Sequence, residues 1–312
     1  MSIKFKVVLF ISTLLILFMS SASATCVRND DGAVISDQDA GQGNPDPILR
    51  DSVNGMTDQC SAIPDAYSVN FYKLGICTAD PSNNDLSSCQ FMLDSSAVNG
   101  VPHTISYPAE SALATGEFEI SPGSYGYMIG ILSNKLGVKH TETFSEQLKG
   151  ANGSGTSCWT NGLMTAISGD SYTHLVHGFI NSANSSSSAL DCGSADDALP
   201  VISHEVIDTM GDGCSNVTFS ATQTGISMSS GTAGATLLQN DGITEATGCA
   251  NASRMLWTID LTTPLVVTPE TGFTLSFKLT DTVSIDAADD GNGVAMMIKM
   301  GADPFQPILT TR

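Results

Sequence analysis

Phe273-Thr274-Leu275-Ser276-Phe277-Lys278-Leu279-Thr280 alternates apolar and polar side chains without a break. Successive side chains of an extended strand point to opposite faces, so Phe273, Leu275, Phe277 and Leu279 share one side and Lys278 lies on the other. This is the pattern of a half-buried strand. Lys278, between Ser and Thr neighbours, reads as a solvated charge that keeps an edge from aggregating.

The same period of two runs outward in both directions. Met255, Trp257, Ile259 and Leu261 line one face, which makes Trp257 a core residue, and Val283 to Ile285 and Val294 to Met300 follow with an acidic turn between them. Nearer the N-terminus, Tyr67, Val69 and Phe71 alternate with Ser68 and Asn70 in a segment that runs on to Cys77. Gln90 to Leu93 and Val101 to Tyr107 flank Asn99-Gly100, a dipeptide suited to hairpin turns. Gly116 to Ile120 leads through Ser121-Pro122-Gly123 into Ser124 to Leu132, where Tyr125, Tyr127, Ile129 and Ile131 fall on one face. β-Branched and aromatic residues dominate these runs, as strands prefer. Helical signals are weak, the best being Glu142 to Lys149, which is short and stopped by Gly150. No fixed-period repeat is present. Many short strands joined by Gly, Pro and Asn turns predict an all-β chain of two disulfide-stabilised β-sandwich domains.

The expected organisation is a leader at 1–24, an extended acidic arm at 25–57, and sandwich domains at 58–150 and 151–312. Lys4 and Lys6, the apolar run Val7 to Met19, and Ser20-Ser21-Ala22-Ser23-Ala24 before Thr25 have the three-part layout of a secretory signal peptide. That apolar run falls short of the roughly 20 residues needed to span a bilayer. Thr25 to Met56 is rich in Asp, Gly and Asn, with little apolar periodicity. Gly150 to Ser157 is Gly/Ser/Asn-rich and marks the expected domain boundary, while Ser182 to Ser188 is a low-complexity loop.

All eight cysteines (Cys26, Cys60, Cys77, Cys89, Cys158, Cys192, Cys214 and Cys249) follow the leader, and no C-x-x-C is present. An even count in an exported chain reads as structural disulfides. Cys77 and Cys89 are expected to pair, because they lie close in sequence across a polar turn. Localisation is therefore expected to be secreted, cell-surface or periplasmic.

The chain of 312 residues carries 12 Lys+Arg against 32 Asp+Glu, a net charge of −20. Such a balance argues against nucleic acid or an anionic membrane as partner, since both are gripped by Lys and Arg.

Candidate sites follow from residue chemistry. Asp37 and Asp39, close to Gly41 and Gly43, offer oxygens on a flexible loop, and calcium is the cofactor such a set would suit. The EF-hand spacing fails, because Ile48 occupies the closing Glu position. Asp286, Asp289 and Asp290, with Asn292, form a second acidic stretch, and Asp208 and Asp212 a third. Solvated acidic turns account for the same residues. His174 and His177 lie three apart on an expected strand, where they point to opposite faces and do not share an ion easily. His204-Glu205 has no recognised ligand spacing. Trp159 and Tyr172 could stack on sugars, although Trp159 adjoins Cys158 and suits packing. No nucleophile elbow, S-x-x-K or P-loop lysine occurs.

Ile120-Ser121-Pro122-Gly123-Ser124-Tyr125-Gly126-Tyr127 resembles the P-G-x-Y turn-into-strand of bacterial exported β-sandwich proteins. Tyr67 to Cys77 with Cys89 is similar to uncharacterised exported proteins of marine bacteria and their viruses. The resemblance covers roughly residues 58–150 and implies a secreted all-β scaffold, with no catalytic residue carried over. The expected function is that of a non-enzymatic exported structural or surface protein, assembling with copies of itself or other surface proteins into a layer, fibre or particle. The arm would pair onto a neighbour's sheet edge. A calcium- or glycan-binding extracellular module is the alternative, and an extracellular hydrolase with paired acids comes third.

Overall fold

The computed structural model describes residues 25–36, 49–53, 55–57, 59–107, 120–150, 152–162, 164–165, 190–210, 219–228, 230–288, 297–303 and 305–311. The protein is all-β. Its strands are β1 (Leu49–Asp51), β2 (Gly55–Thr57), β3 (Gln59–Ala62), β4 (Ala66–Cys77), β5 (Cys89–Asp94), β6 (Val101–Ser106), β7 (Gly123–Ser133), β8 (Lys135–Lys139), β9 (Thr141–Lys149) and β10 (Ser154–Thr160). The series continues with β11 (Met164–Thr165), β12 (Leu190–Gly193), β13 (Ser203–Val206), β14 (Thr222–Met228), β15 (Gly231–Leu238), β16 (Arg254–Val267), β17 (Phe273–Lys278), β18 (Val283–Ala288), β19 (Met297–Ala302) and β20 (Gln306–Thr311). The helical elements among the described residues are two 3-10 turns, Ala195–Asp197 and Cys249–Asn251.

One sheet runs β11-β13-β8-β4-β7-β16-β15-β14, with β5 and β6 also paired to β4. The second runs β12-β10-β9-β19-β18-β3, and β1–β2 and β17–β20 form separate ribbons. A single cluster of buried side chains joins the two large sheets. Tyr67, Phe71, Leu74, Met128, Leu132 and Ile259 of the first meet Phe144, Leu148, Val283, Ile285, Ile298 and Met300 of the second. Both sheets take strands from before and after residue 150, so the two expected sandwich units share their sheets and this core. The Gly-rich patch at that boundary is a hairpin: Gly150 N–H donates to the Gly153 carbonyl, and Lys149 pairs with Ser154.

Strong period-two runs became strands as expected. In β17, Phe273, Leu275 and Phe277 pack on the main core, and Lys278 is exposed. Phe277 stacks on Phe71 at 5.5 Å between ring centroids and meets Phe305 edge-on at 5.3 Å, which fixes the β17–β20 ribbon against β4. In β7 the reading needs a correction. Ile129 and Ile131 face a second cluster with Tyr72, Leu238 and Leu256, while Tyr125 sits in the main core with Met128 and Leu132. β7 is buried on both faces, and β16 carries a bulge opposite Tyr125 and Tyr127 that changes the alternation there.

Glu142–Lys149, the best helical signal, is strand β9. Phe144 and Leu148 are four apart, a spacing that suits one face of a helix or of a strand. Buried Glu142, in phase with both, settles the period as two. The Asn99-Gly100 turn is present, with Gly100 at φ +69°, but β5 and β6 do not pair with each other. They pair with the two halves of β4.

Cys77–Cys89 forms as expected, and Cys26–Cys60 and Cys158–Cys192 are also bonded. Cys249 is in a disulfide as well, and Cys214 lies outside the described residues. These bonds are consistent with an oxidising, non-cytoplasmic compartment. Among the described residues no helix is long and apolar enough to cross a membrane.

The described part of the arm is folded onto its own chain. Cys26 N–H donates to the Ser61 carbonyl beside the Cys26–Cys60 bond. Residues 28–34 turn through Asn29, and Val34 then pairs with β9, donating to Thr143 O and accepting from Ser145 N. Arg28 holds Glu142 with two hydrogen bonds, of 2.6 and 2.7 Å.

Candidate functional site

Between the sheets, at the β13–β14 end, lies a cavity of about 410 Å3. Its inner end is built by Tyr67 from β4, Glu205 from β13, Ser284 from β18, and Ala302 and Asp303 at the end of β19. The rest of the lining is mostly apolar: Ile207, Met210, Ile226, Met228 and Met255 are half-buried, Thr209 and Gln223 lie among them, and Trp257 closes one wall. Among the described lining residues two carry carboxylates and none is Lys, Arg or His.

Local chemistry explains how these groups converge. Glu205 Oε2 accepts the Ala302 N–H at 2.7 Å, which ties β13 in one sheet to β19 in the other. The carboxylate gets this close because residue 301 is glycine. A Cβ there would stand 3.1 Å from Glu205 Oε2 and 3.0 Å from Ser284 Oγ, tighter than ordinary contact. Beyond β13, Asn134 holds the chain in place: its Nδ2 donates to the Ile207 and Ala252 carbonyls, and Ile207 N–H returns to the Asn134 carbonyl. Ile207 to Met210 is thereby laid along the cavity wall.

Tyr67 is fully buried and donates from its hydroxyl to the Asp303 carbonyl at 3.0 Å. Burial, with the nearby charges of Asp303 and Glu205, holds this phenol well above its usual range. It therefore works as a neutral donor. Tyr67→Phe removes that donor and is expected to lower stability by about 1 kcal/mol, read as a shift of the urea midpoint. An unchanged midpoint would show that the Asp303 carbonyl finds another partner.

Asp208 follows β13, is 4% exposed, and its Oδ1 has no hydrogen-bond partner. Burial, to which Glu205's charge adds, pushes this carboxyl up to about 6. It is the most displaced acid on this side of the fold. Sequence reading placed it only in an oxygen-rich segment, although Val206-Ile207-Asp208, an acid next to an apolar pair, carries the signal.

Of the candidate calcium residues, Asp286 is the one that lies among the described residues. Asp286 lies inside β18, its backbone paired with Lys299 and Gln59, and so is not in a turn. A strand continues there because β18 is a central strand, filled on both sides. Asp37, Asp39, Asp289 and Asp290 lie outside the described residues, as do Asn292, Asp212, His174, His177 and Tyr172. Among the described residues no group of three or more His, Cys, Asp or Glu is placed to hold a metal. His204 is half-buried in β13, and burial, helped by Lys135, lowers its pKa. Trp159 is buried beside the Cys158–Cys192 bond, in a packing role.

A second feature is the edge of the large sheet. Among the described residues β14 pairs only with β15, and Thr222 to Gly225 are exposed. Among the described residues the other edges are bridged, short, or carry a charge or proline. β3 is covered at Ser61 by Thr25 and Cys26, β12 is bridged at Asp191 by Asn152, and β11 is two residues long. β5, β6, β17 and β20 hold Asp94, Pro102, Lys278 and Pro307 respectively.

Compared with family models, curated proteins and solved structures, the chain matches none.

Proposed function

We propose that the protein is an exported, non-enzymatic structural or surface subunit that assembles with further copies through strand β14. The observation that carries this reading is the composition of that edge. Thr222-Gln223-Thr224-Gly225-Ile226-Ser227-Met228 holds neither charge nor proline, in a chain with 32 acidic residues. Edge strands are normally guarded by such residues, because an open row of N–H and C=O groups templates pairing with another strand. A bulge at Gly225, at φ +81°, is the one blunting device within it, and it leaves a neutral segment on each side. Assembly through β14 replaces the exchange of the arm, because residues 25–36 are tied to their own chain. Secretion by removal of residues 1–24, and kinship with exported all-β proteins of marine bacteria and their viruses, belong to the same reading.

The test is light scattering and negative-stain microscopy of the oxidised chain from Thr25 onward, compared with Thr224→Glu. Like charges brought face to face cost affinity, and copies of an already acidic chain repel further. Wild type is expected to form filaments, lattices or closed particles, and Thr224→Glu to raise the concentration needed by about tenfold or more. Monodisperse wild-type monomers at high concentration would end the assembly reading.

A further inference from the structure

We propose that the cavity between the sheets is a binding site for a small organic cation with an apolar body, such as an arylalkyl ammonium. Its volume of about 410 Å3 falls within the roughly 300–1,000 Å3 typical of small-molecule sites. The division of its lining specifies the ligand. One end gathers Glu205, Asp303 and Ser284 around the buried Tyr67, which feels the charge of both acids, whereas the rest is mostly apolar, Trp257 and half-buried methionines with Thr209 and Gln223 among them. An ammonium group is a pure donor and suits the acceptor-rich end, while a hydrocarbon or aromatic tail suits the methionine and indole walls.

Glu205 is held for this role. Its Oε2 is anchored by the Ala302 N–H, and the bare backbone of Gly301 gives the carboxylate room beside Ser284 Oγ. The high pKa of the buried Tyr67 hydroxyl, to which both carboxylates contribute, reports the same negative potential at this end. An anionic ligand of equal size would meet that potential as repulsion. The net charge of −20 adds a long-range pull on cations, which makes selectivity within the cavity the quantity to measure.

The probes are 4-phenylbutylamine, 4-phenylbutanol and 4-phenylbutyrate, titrated into the oxidised chain from Thr25 onward by calorimetry at moderate salt. The amine is expected to bind one-to-one and at least about tenfold more tightly than the alcohol, with the carboxylate weakest. Glu205→Gln keeps an acceptor for Ala302 N–H and should bring the amine close to the alcohol. Ala235→Leu fills the cavity from β15, leaves both carboxylates in place, and should abolish binding of all three. Thermal melting shows whether each variant is folded. Should Glu205→Gln fail to fold, Ala235→Leu and the order of the three probes still decide. Equal affinity for amine and carboxylate, amine binding that survives Ala235→Leu, or no saturable binding by any probe would each overturn the proposal.

Discussion

Glu142→Ala is expected to lift the 28–36 segment off β9 and to lower stability by about 2–4 kcal/mol. The carboxylate is buried and accepts from both Arg28 nitrogens, from Thr143 N–H and from the His140 ring. Breaking a buried ion pair by removing one partner costs about 3–5 kcal/mol when the remaining charge is stranded. Arg28 has 41% of its side chain exposed and can return to water, which moves the expectation downward. His140 cannot do the same: it is 5% exposed and its Nδ1 already has no partner. Residues around Cys26 stay tethered by the Cys26–Cys60 bond, so the loss is local. Hydrogen exchange should show the Val34 and Ser145 amides losing protection while those of β4 keep theirs.

The pH dependence separates this ion pair from ordinary packing. Burial pushes the Glu142 carboxyl up, but the His140 and Arg28 hydrogen bonds outweigh it and leave its pKa lowered. A carboxyl depressed in the folded state contributes stability that is complete above its unfolded value of about 4.3 and is lost as pH falls through the folded value. Glu142→Ala should therefore cost most near neutrality and progressively less in acid. Equal cost at pH 7 and at pH 3 would mean that packing, rather than the charge, is what Glu142 contributes.

This pair also shows where sequence reading stops. Strict alternation made β17 legible, because eight residues in one period leave no second interpretation. In β9, Phe144 and Leu148 fit both periods, and the Glu, Gln and Lys around them favour helix by intrinsic propensity. What selects the strand is its ladder with β10, together with the burial of Glu142 against Arg28, 114 residues away. The partners of β5 and β6 were hidden for the same reason: Asn99-Gly100 announces a turn, whereas pairing with β4 depends on a strand long enough to take both. β20 contains Pro307 and lacks clean alternation, yet it pairs because β17 presents its backbone. The Cys77–Cys89 bond was legible since it closes a short local turn. The cavity was not, because Tyr67, Glu205, Ser284 and Asp303 come from four separate segments joined only by the sheet order.

Asp208→Asn should make the protein more stable at pH 7, by about 2 kcal/mol. The Asp208 carboxyl titrates at about 6 in the fold, against an ordinary value of 3.8. One pKa unit corresponds to about 1.4 kcal/mol, so ionising this group in place costs about 3 kcal/mol. The acid binds its proton more tightly folded than unfolded. Its effect on stability is therefore nil well below 3.8, grows unfavourable as pH rises from about 4 to 6, and stays at its full size above that. Asparagine keeps an oxygen in place and removes the charge, but brings an N–H2 whose donors need partners, and that returns about 1 kcal/mol of the gain. The wild-type stability curve should fall across pH 4–6 relative to that of Asp208→Asn, and the two should converge toward pH 3. Glu205 contributes to the shift through its charge, so Glu205→Gln should lower the Asp208 pKa and recover part of the same stability without touching Asp208. Denaturant titrations of the three proteins across this range check both statements. Parallel curves for wild type and Asp208→Asn would mean that water reaches this carboxylate and that it is far less desolvated than its burial implies.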